Sequence, residues 1–221
     1  MTCAHCQGAG RVFGRRVAAA ELRRFRKRGL RPTSRELVEG LAGIGVPGRT
    51  LLDIGGGVGA VQLALFERGL AEATSVDASA GYVQVAQDAA LEAGVGDRVE
   101  YRRGDFVDLA GELGDFDLVS LDRVVCCYPD PERLLSASAA RTRRRLGLVW
   151  PLDRWWVRLA LGFVNLYLRA TRNPFRVFVH PDSVVDESVR SRGLARVHHA
   201  RRGLWQVAIY ARPDPEAAPV A

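Results

Sequence analysis

The sequence predicts an α/β protein with a doubly wound, seven-stranded sheet that is mostly parallel and has an antiparallel hairpin strand at its C-terminal end. Short apolar strands alternate with helical segments along most of the chain, which is the pattern of a parallel sheet covered on both faces. The last two strand-like segments flank Arg201–Gly203, a hairpin-like connection. A chain of 221 residues is long enough for one domain with a full core and too short for two.

Apolar periodicity sets the predicted elements of the first half of the chain. A capping box predicts the start of the second helix, with Thr33 or Ser34 as N-cap and Glu36 close to N3. Gly69 and Gly94 follow two later helices, as glycine commonly does at a helix C-terminus. In chain order the predicted elements are helices over 17–28 and 33–45, a strand over 50–54, a helix over 58–68, a strand ending near 77, a helix over 80–94 and a strand over 98–106.

The second half contains one helix that is unusually rich in aromatic residues. Leu118, Val119 and Leu121 form a short apolar run, which is typical of a buried parallel strand. In chain order the predicted elements are a strand over 115–124, a helix over 131–145, a strand over 146–151, the aromatic helix over 154–171, a helix over 182–193, and strands over 194–201 and 204–212.

The charge balance does not by itself indicate a nucleic-acid partner. The formal net charge is +7, yet Lys27 is the single lysine, so the basic charge is almost all arginine. Arginine together with abundant Ala, Val and Gly is typical of a GC-rich coding sequence, and a nucleic-acid partner is therefore disfavoured. The N-terminal residues contain no apolar segment of the secretory type, and the longest apolar run, 155–168, is broken by Arg158 and Asn165. We therefore expect a cytoplasmic protein without a transmembrane segment.

A glycine-rich loop follows the strand over 50–54. Gly55, Gly57 and Ala60 satisfy the G-x-G-x-x-A pattern of dinucleotide-binding loops, and Asp77 lies about twenty residues further on, as that pattern requires. Asp53, however, stands two residues before the first glycine. A carboxylate there would repel the pyrophosphate that such a loop holds at a helix N-terminus. The loop therefore favours a cationic ligand.

Two motifs of nucleotide-binding proteins are absent, which weighs against a ligand with nucleotide phosphates. A short-chain dehydrogenase needs a Tyr-x-x-x-Lys pair, and Lys27 is far from any such tyrosine. No Gly-Lys-Ser/Thr follows the loop, which excludes a P-loop. S-adenosylmethionine carries a sulfonium and an ammonium and no phosphate, so an acidic loop suits it.

The glycine loop and the aspartate before it resemble a motif of a known family. Asp53-x-Gly55-x-Gly57-x-Gly59 is similar to motif I of the class I S-adenosylmethionine-dependent methyltransferases. The resemblance extends over about 35–212 and implies a Rossmann-like fold with S-adenosyl-L-methionine as cofactor. It also implies a basic helical cap over the cleft in 1–34 and the methyltransferase domain in 35–212. The tail in 213–221 is rich in Pro and Ala, and this composition predicts that it is disordered.

The resemblance also implies which residues bind the cofactor. Asp77, at the end of the second strand, corresponds to the acid that takes both ribose hydroxyls, and Asp105 to the aspartate that meets the adenine amino group. The strand that ends at Asp122 corresponds to the one that lines the methyl-transfer cleft. The expected cofactor-binding residues are Asp53, Gly55, Gly57, Gly59, Asp77, Ala78, Ser79, Gly104, Asp105, Phe106 and Asp122.

Three side chains near the expected cleft are candidates for general acid–base catalysis: Tyr128, Asp122 and His180. A base is needed only where the acceptor starts protonated at a poor nucleophile. His180 could equally cap a helix or pack in the core. The segment after the fourth strand, "DRVVCCYPD", lacks the Asp/Asn-Pro-Pro-aromatic motif of adenine methyltransferases and the Pro-Cys order of cytosine enzymes. A small-molecule methyl acceptor is therefore predicted, aromatic or carboxylate-bearing.

The region 150–180 has two interpretations at this stage. Aromatic residues interleaved with arginines could form a pocket for a flat or apolar acceptor with carboxylates. The same residues could instead form a core helix with snorkelling arginines. The region also resembles magnesium-protoporphyrin methyltransferases in its aromatic-His-Pro stretch, although no motif specifies a porphyrin.

The cysteines do not establish a metal site. Cys3 and Cys6, with His5 between them, have the spacing of half a zinc site. Cys126 and Cys127 could complete it only if the N-terminus folds over the cleft. Reduced free thiols are the expected state, and no metal is assigned.

Two other functions stay open on the sequence alone. One is an NAD(P)-dependent oxidoreductase, which the position of Asp53 disfavours. The other is a methyltransferase fold that acts as a non-catalytic binding module.

Overall fold

A computed structural model of the chain describes residue 8 and residues 12–213. The elements in chain order are α1 (Arg15–Arg28), α2 (Pro32–Ala42), β1 (Thr50–Ile54), α3 (Ala60–Phe66), β2 (Glu72–Asp77), α4 (Ala80–Glu92), β3 (Val99–Arg103), α5 (Phe106–Leu109), β4 (Phe116–Asp122), α6 (Pro131–Ala140), β5 (Thr142–Pro151), α7 (Trp155–Ala170), α8 (Asp182–Arg190), β6 (Ala195–Arg202) and β7 (Trp205–Ala211). Short 3₁₀ turns cover Gly96–Arg98, Ala110–Glu112 and Val125–Cys127.

The seven strands form one sheet in the order β3-β2-β1-β4-β5-β7-β6. The first five strands are parallel, and β7 runs antiparallel to both β5 and β6. The predicted fold class, including the antiparallel C-terminal hairpin, is confirmed. The hairpin turns at Gly203, whose φ of +62° is the left-handed conformation that glycine adopts without strain.

The sheet order places a crevice at the carboxyl ends of β1, β2 and β4. β1 lies in the middle, with β2 on one side and β4 on the other, so the chain reverses direction across the sheet at β1. In register, Asp53 lies beside Ser75 of β2 and Ser120 of β4. In open α/β sheets, ligands bind at such a switch point, outside the carboxyl ends of the strands.

Apolar side chains fill both faces of the sheet. Leu52 and Leu121 belong to the core cluster on one face, and Leu51 and Leu118 belong to the cluster on the other. This division follows from the period of two along each strand, and because both positions are apolar the strands are buried on both faces. The rigid centre of the sheet holds the ends of β1 and β4 in place.

Two sequence predictions about helix ends are wrong. Neither Thr33 nor Ser34 caps α2: Arg31 is the N-cap, Pro32 occupies the first turn, and both hydroxyl residues lie buried inside the helix. The helix predicted over 131–145 ends at Ala140. The reason is tertiary, because Thr142 and Arg145 pair with β4 and extend β5 backwards.

None of the helices in the described part of the chain is long and apolar enough to cross a membrane. The tail predicted to be disordered lies, except for Pro213, outside the described residues. Cys3, His5 and Cys6 lie outside them as well.

Candidate functional site

The glycine loop between β1 and α3 has a backbone that only small residues permit. Gly57 has a φ of +58°, in the left-handed region that β-carbons disfavour. A β-carbon at Gly56 would lie 2.7 Å from both Asp53 Oδ2 and Ser75 Oγ. The loop therefore passes directly over the carboxylate of Asp53, and this close approach requires glycine.

Asp53 is a buried carboxylate with an unused oxygen. Its residue is 1% exposed, and Oδ1 accepts a hydrogen bond of 2.5 Å from Ser120 Oγ. Oδ2 is buried and has no hydrogen-bond partner among the described residues. Burial, and to a smaller extent the neighbouring Asp122 and Asp77, raise the pKa of Asp53 to about 7, against the opposing bond from Ser120.

Asp77 connects the loop to the start of α4. Its Oδ1 accepts from the Ser79 backbone N–H at 2.7 Å, and its Oδ2 accepts from the Gly57 N–H at 3.2 Å. Burial raises the pKa of Asp77 to about 6, and the two N–H groups act in the opposite direction. Ser79 caps α4 and accepts a hydrogen bond from the Tyr82 N–H at 3.3 Å.

Asp105 and Tyr128 form a pair at the far end of the cleft. Asp105 caps α5 through the Val107 N–H at 3.0 Å. The phenol of Tyr128 lies 3.1 Å and 3.2 Å from the two carboxylate oxygens of Asp105 and donates to them. The structure thus brings together a predicted cofactor residue and a predicted catalytic residue.

Asp122, at the end of β4, is held by donors from two elements. The Arg123 guanidinium donates from Nε at 3.0 Å and from Nη2 at 3.2 Å, and Ser34 Oγ of α2 also donates to the carboxylate. Arg123 has a φ of +64°, which is uncommon and strained for a residue with a β-carbon. This backbone turn directs the guanidinium back onto Asp122.

His180 lies behind Tyr128. Its Nε2 is 3.0 Å from the Tyr128 carbonyl oxygen, and the residue is buried. Burial lowers the pKa of His180, with the Tyr128 carbonyl opposing that effect. The contact supports the backbone of Tyr128, and His180 does not line the cavity described next.

A cavity of about 530 Å³ joins these groups. Nine of the expected cofactor-binding residues line it: Asp53, Gly55, Gly57, Asp77, Ala78, Gly104, Asp105, Phe106 and Asp122. Gly59 and Ser79 do not. Ser79 instead donates from Oγ to the Phe13 carbonyl oxygen at 2.6 Å, and a β-carbon at Gly59 would meet the Gln62 side chain.

Helix α1 and the residues around it form a wall of the cavity that contributes side chains not foreseen from the sequence. Glu21, Arg24 and Arg31 line the cavity, as does Arg123. Glu21 accepts a hydrogen bond of 2.9 Å from the Tyr82 hydroxyl, which fastens α1 to α4. The only signal in the sequence was the basic character of α1, which does not reveal which arginines face inward.

These residues fit S-adenosylmethionine better than a dinucleotide. The buried, unpartnered oxygen of Asp53 lies under the glycine loop, where a pyrophosphate would have to sit and where a cation is stabilised instead. Asp77 stands twenty residues further on, at the end of β2, and also lines the cavity. Both carboxylates gain stability in the ionised form when a positive ligand lies beside them.

Helix α7 fits neither interpretation of the aromatic region, as part of an acceptor pocket or as a core helix. Only Val157 and Leu168 of this helix are buried, so it is not a core helix. The cavity lining contains no residue of α7, although Phe175 and Val177 of the segment after it do line the cavity.

No group of three or more His, Cys, Asp or Glu side chains in the described residues could hold a metal ion. The sulfur atoms of Cys126 and Cys127 lie 3.7 Å apart. Contact with Cys127 and burial raise the pKa of the Cys126 thiol.

Comparison with known proteins identifies the fold. Residues 52–149 match the sequence model of a family described as "Methyltransferase domain". A magnesium protoporphyrin IX methyltransferase from Synechocystis, crystallised with S-adenosylhomocysteine, superposes with a TM-score of 0.66 at 22% identity, covering 82% of each chain. A putative sarcosine dimethylglycine methyltransferase from Galdieria sulphuraria superposes with a TM-score of 0.66 at 14% identity, covering 81% of this chain and 85% of the other.

Sequence relatives cover a smaller part of the molecule. A ubiquinone biosynthesis O-methyltransferase from Pseudomonas paraeruginosa is 35% identical over 94 residues, which is 42% of this chain and 39% of the relative. A Synechococcus protein described as uncharacterized is 37% identical over 71 residues, which is 32% of this chain and 17% of the relative. The chain therefore spans well under half the length of these two relatives. Residues 52–149 therefore match a methyltransferase domain, and the superpositions show that the chain has the fold of the class I S-adenosylmethionine-dependent methyltransferases.

Proposed function

We propose that this protein transfers a methyl group from S-adenosylmethionine to a small molecule with an apolar body and an anionic group. The observation that carries the proposal is that buried carboxylates and several arginines line the same cavity. The carboxylates suit a cationic methyl donor, and the arginines suit an anionic acceptor.

The donor half of the site consists of the glycine loop, Asp53, Asp77 and Asp105. When bound, S-adenosylmethionine supplies a methyl carbon already activated by the sulfonium. Asp53 balances positive charge at the loop, and Asp77 accepts hydrogen bonds from ribose hydroxyls while its own contacts hold Gly57 and Ser79 in place. Asp105 and the neighbouring Phe106 bind the adenine. Gly59 and Ser79 shape the loop and the start of α4.

The acceptor half contains cationic groups that the protein itself does not fully satisfy. The Nε atoms of Arg24 and Arg31 are buried and have no hydrogen-bond partner among the described residues. Burial, followed by the nearby Arg31, lowers the pKa of Arg24. An anionic acceptor group near these guanidiniums would relieve both the repulsion and the missing hydrogen bonds.

Apolar side chains complete the acceptor half. Phe13, Phe25, Phe175 and Trp205 line the same cavity. Aromatic walls favour a flat or apolar molecule. The named O-methyltransferase among the relatives supports oxygen as the methylated atom.

Tyr128 is the residue we propose for proton transfer. Tyr128 lines the cavity and its hydroxyl donates to Asp105, whose carboxylate can hold the phenolic proton. A hydroxyl acceptor needs such a group, whereas a carboxylate acceptor is already deprotonated and needs only alignment. His180 positions Tyr128 through its carbonyl, and Asp122, held by Arg123 and Ser34, keeps the end of β4 fixed.

The first experiment is a calorimetric titration of the full chain with S-adenosylmethionine, S-adenosylhomocysteine and NADH. Micromolar binding of both sulfur ligands and none of NADH is the expected result. Binding of NADH alone would favour the oxidoreductase alternative.

The acceptor is then sought by measuring S-adenosylhomocysteine formation with a panel of aromatic carboxylic acids and their neutral amides. Arg24→Gln should raise the KM for acids, whereas Arg23→Gln, an exposed position on the same helix, serves as the matched control. Cofactor binding without turnover of any acid or amide in the panel would favour a non-catalytic binding module.

A further inference from the structure

The outward side of α7 is the largest concentration of exposed apolar side chains in the described residues. Of the eleven large apolar side chains that are exposed there, seven belong to this helix. Trp155 is 77% exposed, Tyr167 is 68% exposed and Phe163 is 64% exposed. Contiguous apolar surface of this kind marks a site that is covered by another molecule.

These side chains lie together on one side of the helix. At about 100° per residue, six of them fall within an arc of about 120°. We call this set the outer face of α7: Trp155, Trp156, Leu159, Phe163, Leu166 and Tyr167. The opposite side holds the helix to the protein through Val157 and Leu168, which are buried, and through Asn165.

The segment of the chain that carries the outer face has only positively charged side chains. Residues 154–181 contain five arginines and no Asp or Glu. Arg154, Arg158, Arg169 and Arg172 are exposed, and only Arg158 forms an ion pair, with Asp153 at 2.7 Å. Arginines beside an apolar, Trp- and Tyr-containing helix face match the surface of a bilayer that contains anionic lipids.

A second copy of the chain fits this face less well. A two-fold interface brings the same patch of each subunit together, so the arginines of the two copies would meet without carboxylates to balance them. A helix of 16 residues is about 24 Å long, enough to lie in the plane of a membrane interface.

We propose that α7 is an interfacial docking helix: its outer face inserts at the boundary between headgroups and acyl chains of an anionic bilayer, with the flanking arginines at the level of the lipid phosphates. This surface role goes beyond the proposed methyl transfer and does not depend on it. Docking would also place the cavity beside the membrane, because Asn165 exchanges two hydrogen bonds with Val177, of 2.7 Å and 2.8 Å, and Val177 lines the cavity.

The test is sedimentation of the full chain with vesicles of phosphatidylcholine alone or of phosphatidylcholine with 30% phosphatidylglycerol. We expect binding to the anionic vesicles at least about tenfold stronger than to the neutral ones, with a blue shift of tryptophan emission. The double variant Phe163→Ser/Leu166→Ser should lose at least about tenfold in affinity. The matched control, Leu91→Ser/Val197→Ser, removes two apolar side chains that are equally exposed elsewhere and should bind as the wild type does.

Thermal unfolding of each variant verifies that the fold is kept, since both pairs of side chains are exposed. Arg169→Gln/Arg172→Gln should weaken binding to anionic vesicles and flatten its salt dependence. Absence of binding to both kinds of vesicle, or equal binding by the wild type and Phe163→Ser/Leu166→Ser, would overturn the proposal. A dimer in solution that this double variant dissociates, without any vesicle binding, would assign the face to a second copy instead.

Discussion

Replacing Asp53 by Asn should stabilise the ligand-free protein at alkaline pH while removing cofactor binding. The carboxylate is buried, and its pKa in the folded state is raised from 3.8 to about 7. The folded state therefore binds more protons than the unfolded state between these two values, so the unfolding free energy of the wild type falls as the pH rises from about 4 to 7. An amide at this position carries no charge and lacks this pH dependence.

The size of the effect follows from the shift. A change from 3.8 to about 7 corresponds to roughly 4 kcal/mol once Asp53 is fully ionised. Of this, about 2.5 kcal/mol develops between pH 5 and pH 8. The Asn amide keeps the bond from Ser120 through its carbonyl oxygen, and any cost of its own unpaired N–H groups is the same at both pH values. The change in relative stability of the two proteins between pH 5 and pH 8 therefore reports only the effect of the charge.

The assay is urea unfolding followed by tryptophan fluorescence, for the wild type and Asp53→Asn at pH 5 and pH 8. The stability of the variant relative to the wild type should increase by about 2 to 3 kcal/mol on going to pH 8. Asp108→Asn, at an exposed carboxylate, is the control for removing a negative charge. A relative stability of Asp53→Asn that is the same at both pH values would refute the reasoning that burial disfavours the ionised form.

Three further predictions concern ligand binding and turnover. The Kd of S-adenosylmethionine should fall as the pH rises from 5 to 8, because Asp53, with a pKa of about 7, must lose its proton to meet a cation, and Asp77, with a pKa of about 6, must lose its proton to accept from both ribose hydroxyls. Calorimetry with S-adenosylhomocysteine, which lacks the sulfonium, should show a shallower dependence. Asp77→Ala should weaken cofactor binding by about 2 to 3 kcal/mol, since it leaves ribose hydroxyls and two backbone N–H groups unpaired, and an unchanged Kd would mean that the ribose binds elsewhere. Tyr128→Phe should lower kcat for a hydroxyl acceptor at least about tenfold without changing the Kd of the cofactor. Equal kcat values for the wild type and the variant would show that Tyr128 does not transfer the proton.

The gathering of the proposed donor-binding residues around one cavity could be predicted from the sequence because its determinants are local. A glycine loop directly after a strand, with Asp53 before it, constrains both backbone and charge within a few residues. The order of the parallel strands then brings Asp77 and Asp122 to the same edge of the sheet, so the predicted positions line one cavity. Short-range pattern and sheet topology were sufficient here.

The arginines in the part of the cavity where we propose that the acceptor binds could not be predicted, because their placement depends on tertiary packing. Arg24 faces the cavity only because α1 packs across α4, and Arg123 reaches Asp122 through a left-handed backbone that no sequence pattern indicates. Ser34 has the sequence context of a helix cap, but its hydroxyl binds Asp122, 88 residues away. The periodicity of 154–171 predicted a helix correctly and could not show that its apolar side faces outward.

The contacts that hold α1 against α4 should affect how fast a ligand leaves the cavity. Ser79 is bonded to the Phe13 carbonyl and Tyr82 to Glu21, and a β-carbon at Gly81 would lie 2.5 Å from the Arg15 backbone nitrogen, so the two segments are in direct contact. A ligand that leaves the cavity on this side must first separate them. We expect the opening of α1 to limit the dissociation rate of such a ligand. Ligands that stay bound longer should therefore slow the hydrogen exchange of the α1 amides more.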